Sequence, residues 1–272
     1  MTRAADRLSG RPLPCPAALL LDFGGVVVTT GRNPGWEMRL AMHIREQLDA
    51  AGLDPNTPSV EGIARDIVAG CAADAHWKDA MSRPFAPREL TRKEFWSDFV
   101  AADWAAPARA LVAADADDLC RRMGHLRSWR KLRNGISAVL DAAAAATVPV
   151  GIVSNALSGQ VHLDFLDEHH LADRFAVIVH SDAAGVRKPN PEMILIATRQ
   201  LGIAPADAWY VGDNFDRDVL CGVRAGVGGN ILMEAARTWD APYELDVRAD
   251  AIVAGPAELL ALFQNALRER AA

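Results

Sequence analysis

Asp22 closes a short apolar run, Leu19-Leu20-Leu21, and two glycines, Gly24 and Gly25, follow one residue later. A second apolar run, Gly151-Ile152-Val153, ends in Ser154 and Asn155, and Lys188 stands between Arg187 and Pro189. A third run, Val211-Gly212, leads into Asp213, Asp216 and Asp218. A nucleophilic carboxylate, a hydroxyl, a cation and a pair of acids make up the kit for phosphoryl transfer assisted by a divalent metal. A carboxylate that attacks phosphorus splits one difficult displacement into two easier ones. Magnesium takes oxygen ligands, usually one or two carboxylates with waters and phosphate oxygens. Each motif alone is weak, because an apolar run ending in Asp arises readily by chance. Four of them in order, each at the end of a strand-like run, do not.

The elements that must position these groups follow from periodicity. From Gly135 onward strand-like runs alternate with helical ones. Strands are expected over Val148–Val153, Ala176–His180, Ala208–Gly212 and Val227–Met233, with Ala17–Asp22 as one more. Helices are expected near 135–146, 158–169, 191–201, 215–225 and 256–270. Such alternation gives an α/β fold, a Rossmann-like parallel sheet with helices on both faces. Every reactive group then sits at a strand's carboxyl end, where open sheets of this kind place their ligands. Between Arg32 and Arg130 no convincing strand stands out and helical periodicity takes over. The expected helices there are Trp36–Ala51, Ser59–Cys71, Thr91–Ala102 and Pro107–Met123. Thr91-Arg92-Lys93-Glu94 fits a capping box.

The ordered motifs resemble the haloacid dehalogenase superfamily, from about Ala17 to Phe263. That resemblance implies an α/β core of residues 17–32 and 131–272 and an inserted all-helical cap of residues 33–130, while Pro12, Pro14 and Pro16 make residues 1–16 read as an irregular arm. It implies a Mg2+-dependent phosphatase acting on a small phosphorylated metabolite through an aspartyl-phosphate on Asp22. Lys188 would neutralise charge, Asp218 would orient that lysine or a metal-bound water, and Ser154, Asn155 and Gly25 would meet the phosphoryl group. The metal set would be Asp22, Asp213 and the backbone carbonyl of Gly24. The side chain at the Gly24 position is normally an Asp that protonates the leaving group, a service typically worth about 10²–10⁴-fold. Some superfamily members carry the same Asp-x-Gly pattern.

Two other readings differ in class. One is a catalytically weak or inactive module that binds a phosphorylated ligand or a protein partner, which Gly24 favours and the retained Asp22, Lys188 and Asp213 oppose. The other is a carbon–halogen or carbon–phosphorus hydrolase. Dehalogenases of this superfamily lose the first acid of the fourth motif, here retained as Asp213, and the phosphonate-cleaving relatives need a cap lysine, whereas the only insert lysines, Lys78 and Lys93, lie well beyond where it would be expected. A surrogate acid from the insert would be His76, Asp79 or His43. His76, Trp77, Lys78, Asp79 and Arg83 cluster as candidates to face the substrate. Trp36, Trp96 and Trp104 read as core packing, His180 and Asp182 as loop structure, and Asp216 as an exposed carboxylate at a helix start, favoured by the dipole.

Composition bounds the rest. The 272 residues carry a formal net charge of −6, which argues against a nucleic-acid surface. Cys15, Cys71, Cys120 and Cys221 are scattered and read as reduced thiols. No signal-peptide or membrane-spanning run stands out, so the expected location is the cytoplasm. No feature sets an oligomeric state.

Overall fold

The computed structural model describes residues 13–53 and 57–271. Positions 1–12 of the arm expected over 1–16 therefore lie outside the described residues. The elements run β1 (Ala18–Leu21), β2 (Val28–Arg32), α1 (Trp36–Ala50), α2 (Val60–Met81), α3 (Arg92–Glu94), α4 (Ala106–Ala114) and α5 (Ala116–Arg127). They continue through β3 (Ser128–Leu132), α6 (Ile136–Ala145), β4 (Val150–Ser154), α7 (Gln160–Glu168), β5 (Val177–His180), α8 (Ser181–Ala184) and α9 (Glu192–Leu201). The chain ends with β6 (Ala208–Gly212), α10 (Leu220–Ala225), β7 (Gly229–Met233), β8 (Ala251–Val253) and α11 (Pro256–Ala271). Six strands form one parallel sheet in the order β5-β4-β1-β6-β7-β8. The α/β fold expected from the alternation is the fold observed.

Strand alternation divides the core into two layers. Leu19 and Leu21 face one side with Val150, Ile152, Trp209, Val211 and Ile231, and meet Val139, Phe165, Leu259 and Phe263 of the covering helices. Leu20 faces the other with Val153, Val179 and Tyr210, against Met193, Ile194 and Ala197 of α9. With both faces covered, β1, β4, β6 and β7 are buried at every position, as parallel strands flanked by helices must be.

The inserted helices carry a core of their own. Trp36, Leu40, Ile44 and Leu48 recur at the i, i+4 spacing of one helical face and pack on Ile63, Ile67, Phe95, Trp96, Val112 and Leu119. Trp36, Trp96 and Trp104 are buried in it, as the sequence suggested. The capping box at Thr91 forms, with Glu94 reaching back to the Thr91 N–H. Expectation and structure part in three places here. α2 runs on to Met81, ten residues past Cys71. The helix from Thr91 turns π-helical over Phe95–Val100, and the Pro107–Met123 helix breaks at Asp115 into α4 and α5.

Strands were also missed at both junctions of the insert. β2 and β3 pair antiparallel in a ribbon of their own, Arg32 opposite Ser128 and Val28 opposite Leu132. Val-Thr-Thr-Gly-Arg and Ser-Trp-Arg-Lys-Leu have no apolar alternation to betray them. Gly31 is there because the Trp129 ring lies across it, where a Cβ would come within 2.2 Å of Trp129 Cζ2. β8 was missed because it is only three residues long.

A polar seam ties the insert to the sheet through the segment 82–91. Glu89 pairs with Arg187 at 2.8 Å, their side chains 4% and 1% exposed. Ser181 Oγ donates to the same carboxylate, and the Pro87 carbonyl accepts from the Arg187 and Asn190 side of the lysine loop. Arg224 donates to the Pro84 and Phe85 carbonyls. Removing one partner of a buried pair strands the other charge at about 3–5 kcal/mol. Glu89→Ala should lower the unfolding free energy in denaturant titration by about that much; a change under about 1 kcal/mol, the range of exposed pairs, would mean the seam bears little load.

Candidate active site

The carboxyl ends of β1, β4 and β6, with the loop between α8 and α9 that carries Lys188, deliver the sequence-derived groups to one chamber of about 560 Å³, lined among others by Asp22, Gly24, Gly25, Ser154, Asn155, Lys188, Asp213 and Asp218. Lys188 is its electrostatic centre. The ammonium is 2% exposed and lies 2.6 Å from Asp218 Oδ1, 2.9 Å from Asp22 Oδ1 and 2.9 Å from the Tyr210 hydroxyl. Burial works against this charge, but Asp218 and Asp22 outweigh it and hold the Lys188 pKa above its ordinary value.

Asp218 is fully occupied. Its Oδ1 accepts from Lys188 and from the Tyr210 hydroxyl at 2.7 Å, and its Oδ2 from the Asp213 and Asn214 N–H groups at 3.0 Å each. Burial would raise its pKa, yet the Lys188 ammonium prevails and the pKa lies below the usual carboxylate range. Asp22 is different. Its Oδ1 accepts from Lys188 and from the Phe23 N–H at 2.7 Å, which leaves Oδ2 with no protein donor among the described residues. Burial raises the Asp22 pKa, and the neighbouring Asp218 adds to the rise. Asp213, mostly buried, accepts from the Asn214 side chain and has no ion-pair partner among the described residues; burial and then the Asp218 and Asp22 charges push it up to about 8.

The glycines have separate reasons. Gly25 holds φ near +77°, and a Cβ there would come within 2.2 Å of Asp213 Oδ2. Its N–H donates to the Val28 carbonyl and its own carbonyl accepts from Arg133, so it shapes the turn against Asp213. Gly24 lies outside the left-handed region and nothing stands within 4 Å of where its Cβ would be. No donor among the described residues reaches its carbonyl. Asn155 spends both side-chain polar atoms on the Lys188 backbone, at 2.8 and 3.1 Å, and so fixes the lysine loop. Ser154 is buried at the chamber wall.

Several expectations need correcting. Asp216 is not an exposed helix-start carboxylate: it is 3% exposed, with Arg217 Nε 3.7 Å away, because a π-helical turn over Phe215–Val219 rotates it inward. His180 ends β5, and Asp182 lies in the first turn of α8 and holds Arg92 at 2.6 Å and the Gly159 N–H at 2.8 Å, so neither is loop. His76, Asp79 and Arg83 line no part of the reaction chamber. His43 groups instead with Asp115 and Asp118. The imidazole that does line it is His162 of α7, stacked on Phe23 at 4.0 Å and bonded through Nδ1 to His180 Nε2 at 3.2 Å. Burial, with His180 beside it, holds its pKa well below the ordinary histidine value. Arg133 and Arg217 also line the chamber. Arg217 lies within the fourth motif, between Asp216 and Asp218, but no role is read for it in the sequence; no motif marks His162 or Arg133.

A family model described as haloacid dehalogenase-like hydrolase matches residues 115–229. The phosphoglycolate phosphatase of Xanthomonas campestris pv. campestris is 30% identical over 155 residues, 57% of this chain and 67% of that one. The chain belongs to the haloacid dehalogenase-like hydrolases. The glyceraldehyde 3-phosphate phosphatase of Methanopyrus kandleri is 44% identical over 59 residues, 22% of this chain and 24% of that protein. The chain thus matches about a quarter of one relative's length and two thirds of the other's. Among solved structures, CbbY from Rhodobacter sphaeroides in complex with phosphate superposes with a TM-score of 0.56 at 19% identity, covering 92% of this chain and 99% of that one. YfnB from Bacillus subtilis, bound to magnesium, gives 0.54 at 15% identity over 90% and 97%. At such identities the likeness is one of fold.

The contrast between the glycines is measurable. Gly24→Ala should change stability by no more than about 0.5 kcal/mol, whereas Gly25→Ala should cost about 1–3 kcal/mol for a strained backbone pressed on Asp213. Equal melting temperatures for the two variants would contradict this account of the turn.

Proposed function

We propose that this chain is a magnesium-dependent phosphatase of small phosphate monoesters, working through a phosphoryl group on Asp22. The observation that carries the reading is the asymmetry of Asp22: Oδ1 is held by Lys188 and the Phe23 N–H while Oδ2 has no protein donor. Oδ2 attacks phosphorus, the bond to the leaving oxygen breaks, and Asp22 carries the phosphoryl group. Water then attacks the same phosphorus, releases phosphate and restores the carboxylate. Lys188 offsets the negative charge gathered between Asp22 and the phosphoryl oxygens. Asp218 and Asn155 hold that lysine, one by its head and the other by its backbone. Ser154 offers a hydroxyl to a phosphoryl oxygen.

The donor set fits a hard divalent cation. Asp22, Asp213 and Asp218 bring carboxylate oxygens within 4.8 Å of one another, and the Gly24 carbonyl is free of other donors. Asp218 already accepts four hydrogen bonds, so Asp22, Asp213 and the Gly24 carbonyl would hold magnesium. Such an ion supplies the charge that Asp213 lacks and polarises the phosphoryl oxygens. The unpaired, desolvated Asp213 supports this reading; chelation should then abolish turnover. The inserted helices act as a cap whose residues line the adjoining cavity rather than the chamber itself. The free cysteines fit a cytoplasmic setting.

No carboxylate stands at residue 24 to give the leaving oxygen a proton. Turnover should therefore rise steeply as the leaving-group pKa falls across a series of aryl and alkyl phosphates. The space at Gly24 makes the repair testable. Gly24→Asp should raise alkyl phosphate turnover by up to about 10²–10⁴-fold and change aryl phosphates little. A folded variant with unchanged alkyl turnover would assign the proton to another group, with His162 on the chamber wall the first to mutate.

A further inference from the structure

The reaction chamber adjoins a second cavity of about 510 Å³ between the β2–β3 ribbon, α2, α5 and the loop after β4. Thr30, Asn155, His162 and Arg237 line both. The second cavity is strongly cationic: Arg32, Lys78, Arg127, Arg130 and Arg237 line it against one carboxylate, Asp74. That carboxylate is spent on Lys78, 2.6 Å away. Arg130 donates to the Gly124 and Ser128 carbonyls, each at 3.1 Å. Arg127 reaches the Cys71 sulfur at 3.8 Å and lies over the Trp36 ring. Among the described residues no carboxylate pairs with Arg32, Arg127 or Arg130.

Ribbon register explains how these groups come together. Thr30 lies opposite Arg130 and Arg32 opposite Ser128, so the four share one face of the ribbon, and all four line the cavity. Cations withdrawn from water are normally paired. Arg130 is half-buried without a counter-ion, and burial alone pushes its pKa down. A guanidinium in that condition is suited to an incoming anion, which it can grip with two parallel hydrogen bonds.

We propose that the second cavity binds a second anionic group on the substrate, so that the preferred substrates are phosphate monoesters bearing a further carboxylate or phosphoryl group a short chain away. The inference rests on the Asp22 chamber being the phosphate site, because only then does one molecule reach both cavities. Arg32, Arg127 and Arg130 would be specificity residues, remote from the reacting atoms.

Two probes isolate the second anion. In 3-phosphoglycerate and glycerol 3-phosphate the phosphate ester is the same, and a carboxylate replaces a hydroxymethyl group. With magnesium and the Asp22→Asn protein, titration calorimetry should show 3-phosphoglycerate binding tighter by about tenfold or more, the size of one charge-assisted contact. Adding Arg130→Gln should erase most of that preference while glycerol 3-phosphate binding holds. Arg32→Gln is the second variant: the side chain is exposed and makes no hydrogen bond or ion pair among the described residues, so it should reduce the preference without loss of fold. Propane-1,3-diol bisphosphate distinguishes the anion: tighter binding than 3-phosphoglycerate assigns the cavity to a phosphoryl group, weaker binding to a carboxylate. Equal affinities for the two monophosphates, or a preference untouched by either arginine substitution, would overturn the proposal. Aryl phosphate turnover by the wild type, measured in parallel, reports on the phosphatase reading alone. Turnover with equal affinities would sink the second-anion site and leave that reading standing, and a tenfold preference without turnover would do the reverse.

Discussion

A lysine ammonium buried at the end of three parallel strands must be surrounded by negative charge, or the fold could not keep it. Transfer of an isolated ammonium into a protein interior costs far more than one domain's stability can absorb. Lys188 therefore dictates its surroundings. Asp218 and Asp22 must stand within 3 Å, as they do at 2.6 and 2.9 Å, and Tyr210 must turn its hydroxyl inward to complete the shell. The lysine itself must be aimed, and Asn155 does this by clasping its backbone on both sides. The order of strands β4-β1-β6 brings the carriers of these groups side by side.

Three acids converge on the chamber, but one ammonium divides them into different roles. Asp218 is saturated by four donors and is held below the usual carboxylate pKa, so it serves as the fixed anchor of Lys188. Asp22 is bound through one oxygen only. Asp213 is in contact with no cation and rises to about 8. Asp213, bonded only to the Asn214 side chain and facing no cation among the described residues, is the acid on which the proposed magnesium site rests. The free oxygen of Asp22 is where the proposed attack on phosphorus would begin. Gly24 alters this arrangement at one point only, by withholding a proton donor while keeping the carbonyl.

Most of this was legible in the sequence because the chemistry sits at strand ends, and strands announce themselves. Leu19 to Asp22 and Trp209 to Asp213 are apolar runs that stop at a charge, and a parallel sheet covered on both faces requires such runs. What escaped lacked that signature. The ribbon of Val28–Arg32 and Ser128–Leu132 is polar on both faces and recognises its register through Gly31 and Trp129. Asp216 was misplaced because a π-helical turn, which no periodicity reveals, carries it inward. His162 escaped because a histidine on an amphipathic helix looks like any other until Phe23 is found stacked against it. The polar seam at Glu89 and Arg187 joins residues nearly a hundred positions apart in the chain, a pairing for which single-sequence spacing offers no cue.

The claim on which the account stands is that Asp22 Oδ2 becomes covalently bonded to phosphorus. Wild-type protein mixed with magnesium and an aryl phosphate, quenched in acid within a single turnover and mapped by peptide mass spectrometry, tests it most directly. One added phosphoryl group is expected on the peptide that contains Asp22, labile to hydroxylamine as an acyl phosphate is, and none in the Asp22→Asn protein. Phosphate release at full rate with no phosphorylated peptide, or with the phosphoryl group on any other residue, would contradict it.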